Sequence, residues 1–119
     1  MRLRDLTAAD MKIFAPSMPY RVRGVAGVED DGRVLGVGGL AYLPDGRVFA
    51  FSYFGPEATK YPIALHKTAL MVIGLARASG VRELYACPEL RRSPAAERWL
   101  KRLGFEPCQE GWWCRNVGA

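Results

Sequence analysis

The sequence predicts an α/β domain of the α+β kind, in which an antiparallel meander and a parallel crossover share one mixed sheet with helices on both faces. Two Asp-Gly turns, Asp31-Gly32 and Asp45-Gly46, separate apolar segments, and Asp-Gly tolerates the positive φ of hairpin turns. The apolar period then lengthens to that of a helix over residues 63–79. A short apolar segment at 81–86 follows the helix, so we expect it to lie parallel to the strand before the helix.

Composition sets the broad class. The 119 residues predict a single domain covering 1–119, and a hydrophobic fraction of 50% is enough for a core. No apolar run is long enough to cross a membrane, and the first five residues lack the apolar core of a signal peptide, so we expect a cytoplasmic protein. Three scattered cysteines and one histidine argue against a disulfide framework and a metal site.

The first half of the chain is expected to form the meander. A short strand at 2–6 precedes Thr7, which is expected to cap a short helix with Asp10 as its capping-box partner. Pro16 and Pro19 end that helix. The strands of the meander are expected at residues 21–29, 33–43 and 47–54.

The second half is expected to supply the crossover. In the helix at 63–79, one buried face is expected from Leu65, Ala69, Val72 and Ala76, widened by Ile63, Leu70 and Ile73, and Gly80 ends the helix. Ser93 and Pro94 begin a last helix whose apolar face is Ala96, Trp99, Leu100 and Leu103. Residues 105–116 are a final strand or irregular hairpin, with Trp112 and Trp113 on opposite faces.

Two segments resemble a known family. The run Arg-Trp-Leu-Lys-Arg-Leu-Gly-Phe-Glu-Pro at 98–107 resembles the helix-to-strand signature of the GNAT superfamily of N-acetyltransferases, where a helix ends in Leu-Gly-Phe. Phe54-Gly55-Pro56-Glu57, with the following helix and strand, is similar to the cofactor-binding core of that family. The resemblance covers about residues 21–116 and implies transfer of an acetyl group from acetyl-CoA to an amine of a small molecule or a protein. The chain is also similar in form to small family members of phages and prophages.

The resemblance places a pyrophosphate-binding turn at 60–65. Lys60 stands where the family usually has Arg or Gln, and Tyr61, Ile63 and Leu65 stand where it usually has glycines. A helix N-terminus attracts anions, and nearby cationic side chains strengthen that attraction. The expected cofactor-binding residues are Phe54, Lys60, Tyr61, Ile63, Ala64, Leu65, His66 and Lys67.

Candidate catalytic groups are few. Leu100 falls where many family members have a tyrosine that protonates the departing thiolate, so Tyr53 is a candidate for that role. Glu29 and Glu57 are candidate bases for the amine, and His66 is a further one. Each also has a non-catalytic interpretation. The tyrosine can pack in the sheet, the histidine can be structural, and a glutamate such as Glu57 can point into solvent.

Two other functions remain open at this point. A GNAT-like binding or structural module without activity, of phage origin, would explain the missing glycines and tyrosine. The net charge of +5 suggests nucleic acid as a partner. However, the basic residues are spread out and no recognition pattern is present, so we do not expect a nucleic-acid partner. Trp99, Trp112 and Trp113 are expected in the core or in a homodimer contact, and Cys87 is expected to be a small buried residue near the cleft.

Overall fold

The computed structural model describes residues 1–86, 94–108 and 111–118. Its strands are β1 (Arg2–Asp5), β2 (Arg21–Val28), β3 (Val34–Tyr42), β4 (Val48–Phe54), β5 (Glu83–Ala86), β6 (Glu106–Pro107) and β7 (Trp113–Asn116). Its helices are α1 (Ala8–Phe14), α2 (Pro62–Ala78) and α3 (Pro94–Arg102), and a 3₁₀ helix spans Pro56–Lys60.

The strands form one mixed sheet in the order β1-β2-β3-β4-β5-β7-β6. Neighbours from β1 to β4 are antiparallel, as are β5–β7 and β6–β7. The pair β4–β5 is parallel and is joined through α2. The predicted α/β fold, with its antiparallel meander and parallel crossover, is confirmed.

A glycine contact brings β2 and β3 close together. Gly24 pairs with Gly39 in the ladder. A Cβ atom on Gly39 would lie 2.2 Å from the carbonyl oxygen of Arg23, and one on Gly24 would lie 2.1 Å from that of Gly38. Real Cβ atoms do not approach backbone so closely, so these strands can be this close only because both positions are glycines without a Cβ.

A capping box holds α1, as predicted. Thr7 Oγ1 accepts a hydrogen bond from the Asp10 N–H at 3.3 Å, and Asp10 Oδ2 accepts one from the Thr7 N–H at 2.9 Å. The buried Asp10 carboxylate also accepts from both terminal nitrogens of Arg4, at 2.7 and 2.9 Å. This ion pair ties α1 to β1 and holds the pKa of Asp10 well below its usual range, because the Arg4 hydrogen bonds favour the carboxylate.

Helices cover both faces of the sheet, as predicted. Met11 of α1 packs in one buried cluster with Ala26, Val28 and Val37. On the opposite face, residues of α2, β5 and β7 form the larger cluster, which includes Val72, Ala76, Leu84 and Trp113, and Trp99 and Leu100 of α3 pack against it. Trp113 is therefore in the core, whereas its neighbour Trp112 faces the other way, as alternation requires.

One prediction for α2 is wrong. Ile63 and Leu70 were expected to widen the buried face, but they are 72% and 47% exposed. At 100° per residue they lie roughly opposite Val72, which faces the sheet. The helix is apolar on almost every side, so its sequence does not mark the buried face. Ser93 and Cys87, named above, lie outside the described residues.

Candidate functional site

A cleft lies beside the C-terminal half of β4. The described ladder between β4 and β5 runs from Val48–Leu84 to Ala50–Ala86, while β4 continues to Phe54 and stays paired with β3. A cavity of about 1010 Å³ lies along this part of β4. Its walls come from α2, α3, β4 and the segment between α1 and β2, and include Leu65, Thr68, Ala69, Trp99, Leu100, Phe51, Tyr53, Phe54, Met18 and Tyr20.

The N-terminus of α2 follows β4 through the 3₁₀ helix at Pro56–Lys60, which was not predicted from the sequence. Pro62 is the first helical residue and has no N–H, and no side chain caps the helix. The Leu65 N–H donates to Tyr61 O, and no partner within the described residues takes the Ile63 or Ala64 N–H. Two backbone donors are therefore available to an anion at the predicted turn.

Tyr61 is turned toward the β2–β3 hairpin. The nearby Glu29 carboxylate, followed by burial and the charge of Asp30, raises the pKa of Tyr61. The side chain that precedes α2 therefore lies near the hairpin. The acidic hairpin lowers the affinity of this turn for an anion, and the two free N–H groups raise it.

Lys60 and Lys67 are both exposed. No hydrogen bond or ion pair of either side chain occurs within the described part of the chain. Lys60 immediately precedes Tyr61, the residue before α2, whereas Lys67 lies more than one turn along the helix, on the stripe that begins at Ile63. Both ammonium groups are free to neutralise a bound polyphosphate.

Glu57 lies outside the described lining of the cavity. Both of its oxygens accept hydrogen bonds from Arg33 Nη1, at 3.0 and 2.8 Å, and its side chain is exposed. Glu29 is also absent from the described lining, and its Oε1 lies 3.8 Å from the Met1 ammonium nitrogen. Of the four candidate catalytic residues, Tyr53 alone lines the cavity within the described part of the chain.

His66 contacts α3. Its Nδ1 accepts a hydrogen bond of 3.2 Å from Trp99 Nε1, so the histidine joins α2 to α3. Leu100 lines the cavity, and its hydrocarbon side chain cannot donate a proton. The catalytic role of these positions stays a prediction.

Cys114 is not a nucleophile at neutral pH. A hydrogen bond with Cys108, followed by burial, raises the pKa of Cys114 to about 12. The thiol therefore stays protonated, and only a thiolate attacks an acyl group readily.

The sequence analysis missed a group of aromatic side chains around Arg47. The ring centroid of Phe49 lies 5.0 Å from that of Trp112 and 5.5 Å from that of Tyr85. The Arg47 guanidinium lies 4.5 Å from the centroid of the Trp112 ring. Alternation along 47–54 could have placed Arg47 and Phe49 on one face, but the sequence gives no sign that Trp112 joins them.

Solved structures share this fold. One is a GNAT superfamily phosphinothricin acetyltransferase from Sinorhizobium meliloti in complex with acetyl-CoA, with a TM-score of 0.70, 18% identity, and coverage of 98% of this chain and 88% of that one. A putative acetyltransferase from Agrobacterium tumefaciens has a TM-score of 0.61 and 22% identity, and 98% of each chain is covered. The chain has the GNAT fold.

A third similar structure is the AtaT–AtaR complex bound to DNA, with a TM-score of 0.60, 14% identity, and coverage of 98% of this chain and 95% of that one. No protein-family model and no curated protein matches the sequence. Within residues 1–86, 94–108 and 111–118, no three His, Cys, Asp or Glu side chains are grouped to hold a metal ion. No helix in those ranges is long and apolar enough to cross a membrane.

Proposed function

We propose that this protein transfers the acetyl group of acetyl-CoA to an amine in the cleft beside β4. The observation that carries the proposal is a cavity of about 1010 Å³ that lies along β4 and is lined by residues of both α2 and α3. A pocket of this size accommodates an extended thioester arm and a small acceptor together. The GNAT fold and a similar structure in complex with acetyl-CoA support the same assignment.

In this proposal, the edge of β4 that faces away from β3 holds the thioester arm. At Phe51, Ser52 and Tyr53 the described ladder partner of β4 is on its β3 side. In this proposal the backbone groups of these three residues on the other edge hydrogen-bond the amides of the arm, as an added strand would. Leu65 and Ala69 of α2 provide an apolar wall against which the arm packs.

The pyrophosphate lies at the start of α2 in this proposal. The Ile63 and Ala64 N–H groups donate to it, and the helix dipole and the Lys60 and Lys67 ammonium groups favour its negative charge. Tyr61 occupies the space that a glycine would leave open, so the side-chain charges carry more of the affinity.

Acetyl-CoA supplies an activated acyl thioester. The amine nitrogen forms a bond to the acetyl carbon, the carbon–sulfur bond breaks, the nitrogen loses a proton, and the departing thiolate takes one. Tyr53 is the proposed donor of that last proton, because it lines the cavity and Leu100 cannot donate. Glu29 and Glu57 lie outside the described lining, so either would reach the amine through water.

The test combines binding and turnover. Acetyl-CoA should raise the melting temperature, because a ligand that binds only the folded state stabilises it. Mass spectrometry of a panel of primary amines incubated with protein and acetyl-CoA should show a product heavier by one acetyl group. Stabilisation with no acetylated amine favours the inactive binding module, and no stabilisation at any concentration overturns the proposal.

A further inference from the structure

We propose that Arg47 binds a carboxylate of the acceptor, so that the acceptor is an amine with an apolar body and an acid group. This inference rests on the proposed acetyl transfer and names its substrate class. Among the described residues that line the cavity, Arg47 is the sole charged side chain, and no carboxylate is present. A polycationic amine would find no acidic partner on these walls, whereas an acid finds a cation.

The chain contains an internal comparison for Arg47. Asp31-Gly32-Arg33 and Asp45-Gly46-Arg47 form hairpin ends of the same geometry. In each, the arginine N–H donates to the aspartate Oδ1 at 3.0 Å, and the arginine Nε donates to Oδ2, at 2.7 Å for Arg33 and 2.6 Å for Arg47. The two guanidinium groups are therefore oriented alike by their own turns.

The two arginines differ in what their outer nitrogens meet. Arg33 Nη1 donates to both oxygens of Glu57, so a carboxylate already occupies that end of the guanidinium. No hydrogen bond of the Arg47 Nη atoms occurs within the described residues, and Arg47 lines the cavity. The place that Glu57 fills for Arg33 is thus open for Arg47, and a ligand carboxylate has the geometry to fill it.

The surroundings of Arg47 indicate the body of the ligand. The guanidinium carbon lies 4.5 Å from the centroid of the Trp112 ring and 5.8 Å from that of Phe49. Phe51 and Tyr53 follow Phe49 on the same face of β4. In an α-amino acid one carbon separates the amine from the carboxylate, so the long Arg47 side chain supplies the reach toward the cavity. The aromatic or branched aliphatic side chain of the acceptor packs on this apolar wall.

The test compares ligands that differ only in charge. N-acetyl-phenylalanine, the product of one such acceptor, and N-acetyl-phenylalaninamide, which lacks the carboxylate, are titrated calorimetrically into the wild type, Arg47→Gln, Arg47→Lys and Arg33→Gln. Arg33→Gln is the matched control, since it removes the same Asp-Gly-Arg contacts away from the cavity. Melting temperatures verify that each variant is folded.

We expect the wild type to bind the acid about 10- to 100-fold more tightly than the amide, the range of a charge-assisted hydrogen bond pair. Arg47→Gln should remove the preference, Arg47→Lys should keep part of it, and Arg33→Gln should leave it intact. Equal affinities for acid and amide, an unchanged preference in Arg47→Gln, or no binding of either ligand overturns the inference. Arg47-dependent binding of the acid without acetylation of phenylalanine would leave this anion site standing and count against the proposed transfer.

Discussion

Single residues decide whether this cleft can do chemistry. Tyr53 lines the cavity, as do Tyr20, Ser52 and Thr68, whereas Leu100 has no group that donates a proton. The two glutamates have partners elsewhere: Glu57 binds Arg33, and Glu29 lies 3.8 Å from the Met1 ammonium. Tyr53 is the hydroxyl that we propose as the proton donor to the thiolate.

Replacing Tyr53 by Phe should lower kcat by about 100-fold with little change in the KM for acetyl-CoA, the usual scale of a lost general acid. Tyr42→Phe is the control, because Tyr42 packs in the cluster on the opposite face. Steady-state kinetics of both variants measure the effect. Equal loss in the two variants would show that the hydroxyl of Tyr53 has no special role.

Asp10 gives the fold a defined response to acid. Its pKa is lowered in the folded state, mainly by the Arg4 hydrogen bonds, so the stability it contributes is present above the unfolded pKa of about 3.9 and is lost as the pH falls below that value. Asp10→Asn should cost about 2 kcal/mol of unfolding free energy at pH 7, and the difference from the wild type should shrink by pH 3.

Urea unfolding of both proteins at the two pH values checks this prediction. Asp5→Asn, at an exposed position of the same strand as Arg4, is the control and should cost little at either pH. A difference between wild type and Asp10→Asn that stays constant from pH 7 to pH 3 would contradict the assignment.

At the scale of elements, the close approach of β2 and β3 and the start of α2 position the site. Gly24 and Gly39 let β2 and β3 approach, and Tyr61, the residue before α2, lies near Glu29 of the hairpin that joins those strands. The cleft wall formed by β4 depends on this contact, because β3 is the neighbour that β4 keeps along its whole length.

Gly39→Ala should therefore destabilise the domain by about 2 kcal/mol or more, since its Cβ would meet backbone on β2 that cannot move without breaking the ladder. Gly74→Ala is the matched control. Gly74 is exposed on α2 with no atom within 4 Å of the added Cβ, so alanine should stabilise by about 1 kcal/mol through helix propensity. Thermal unfolding that shifts both variants in the same direction would refute this account of the strand spacing.

The charge at the start of α2 should govern cofactor affinity. A Lys60→Ala, Lys67→Ala double variant should bind acetyl-CoA more weakly by roughly 1–3 kcal/mol, the range of lost charge-assisted hydrogen bonds. An Arg2→Ala, Lys12→Ala variant removes the same charge from β1 and α1 and controls for net charge. Calorimetry on both variants is the measurement, and an equal loss of affinity would mean that only net charge matters.

At the scale of the whole molecule, the sequence predicts the fold far better than the site. The two Asp-Gly turns, the Thr7 capping box and Gly80 are local signals, and each predicted element is present. The pairs Arg4–Asp10, Arg33–Glu57 and Met1–Glu29 depend on how the fold brings their partners together, so no local pattern predicts them. The same holds for the contact of Arg47 with Trp112, 65 positions away in the chain.

The folded domain also bears on the predicted partners. Trp113 is buried in the core, whereas Trp99, which hydrogen-bonds His66, and Trp112 both line the cavity that a ligand would enter. The expected homodimer, the cytoplasmic location, the phage relationship and the absence of a nucleic-acid partner stay predictions. The DNA in the AtaT–AtaR structure belongs to that complex.

The most direct test of the account is an NMR titration of ¹⁵N-labelled protein with acetyl-CoA. If the ligand lies along the open edge of β4 and ends at α2, the amide shifts should concentrate at residues 51–54 and 63–69, and the Ile63 and Ala64 N–H resonances should move most. Shifts confined to other elements, or none at saturating acetyl-CoA, would contradict the proposed site and the function built on it.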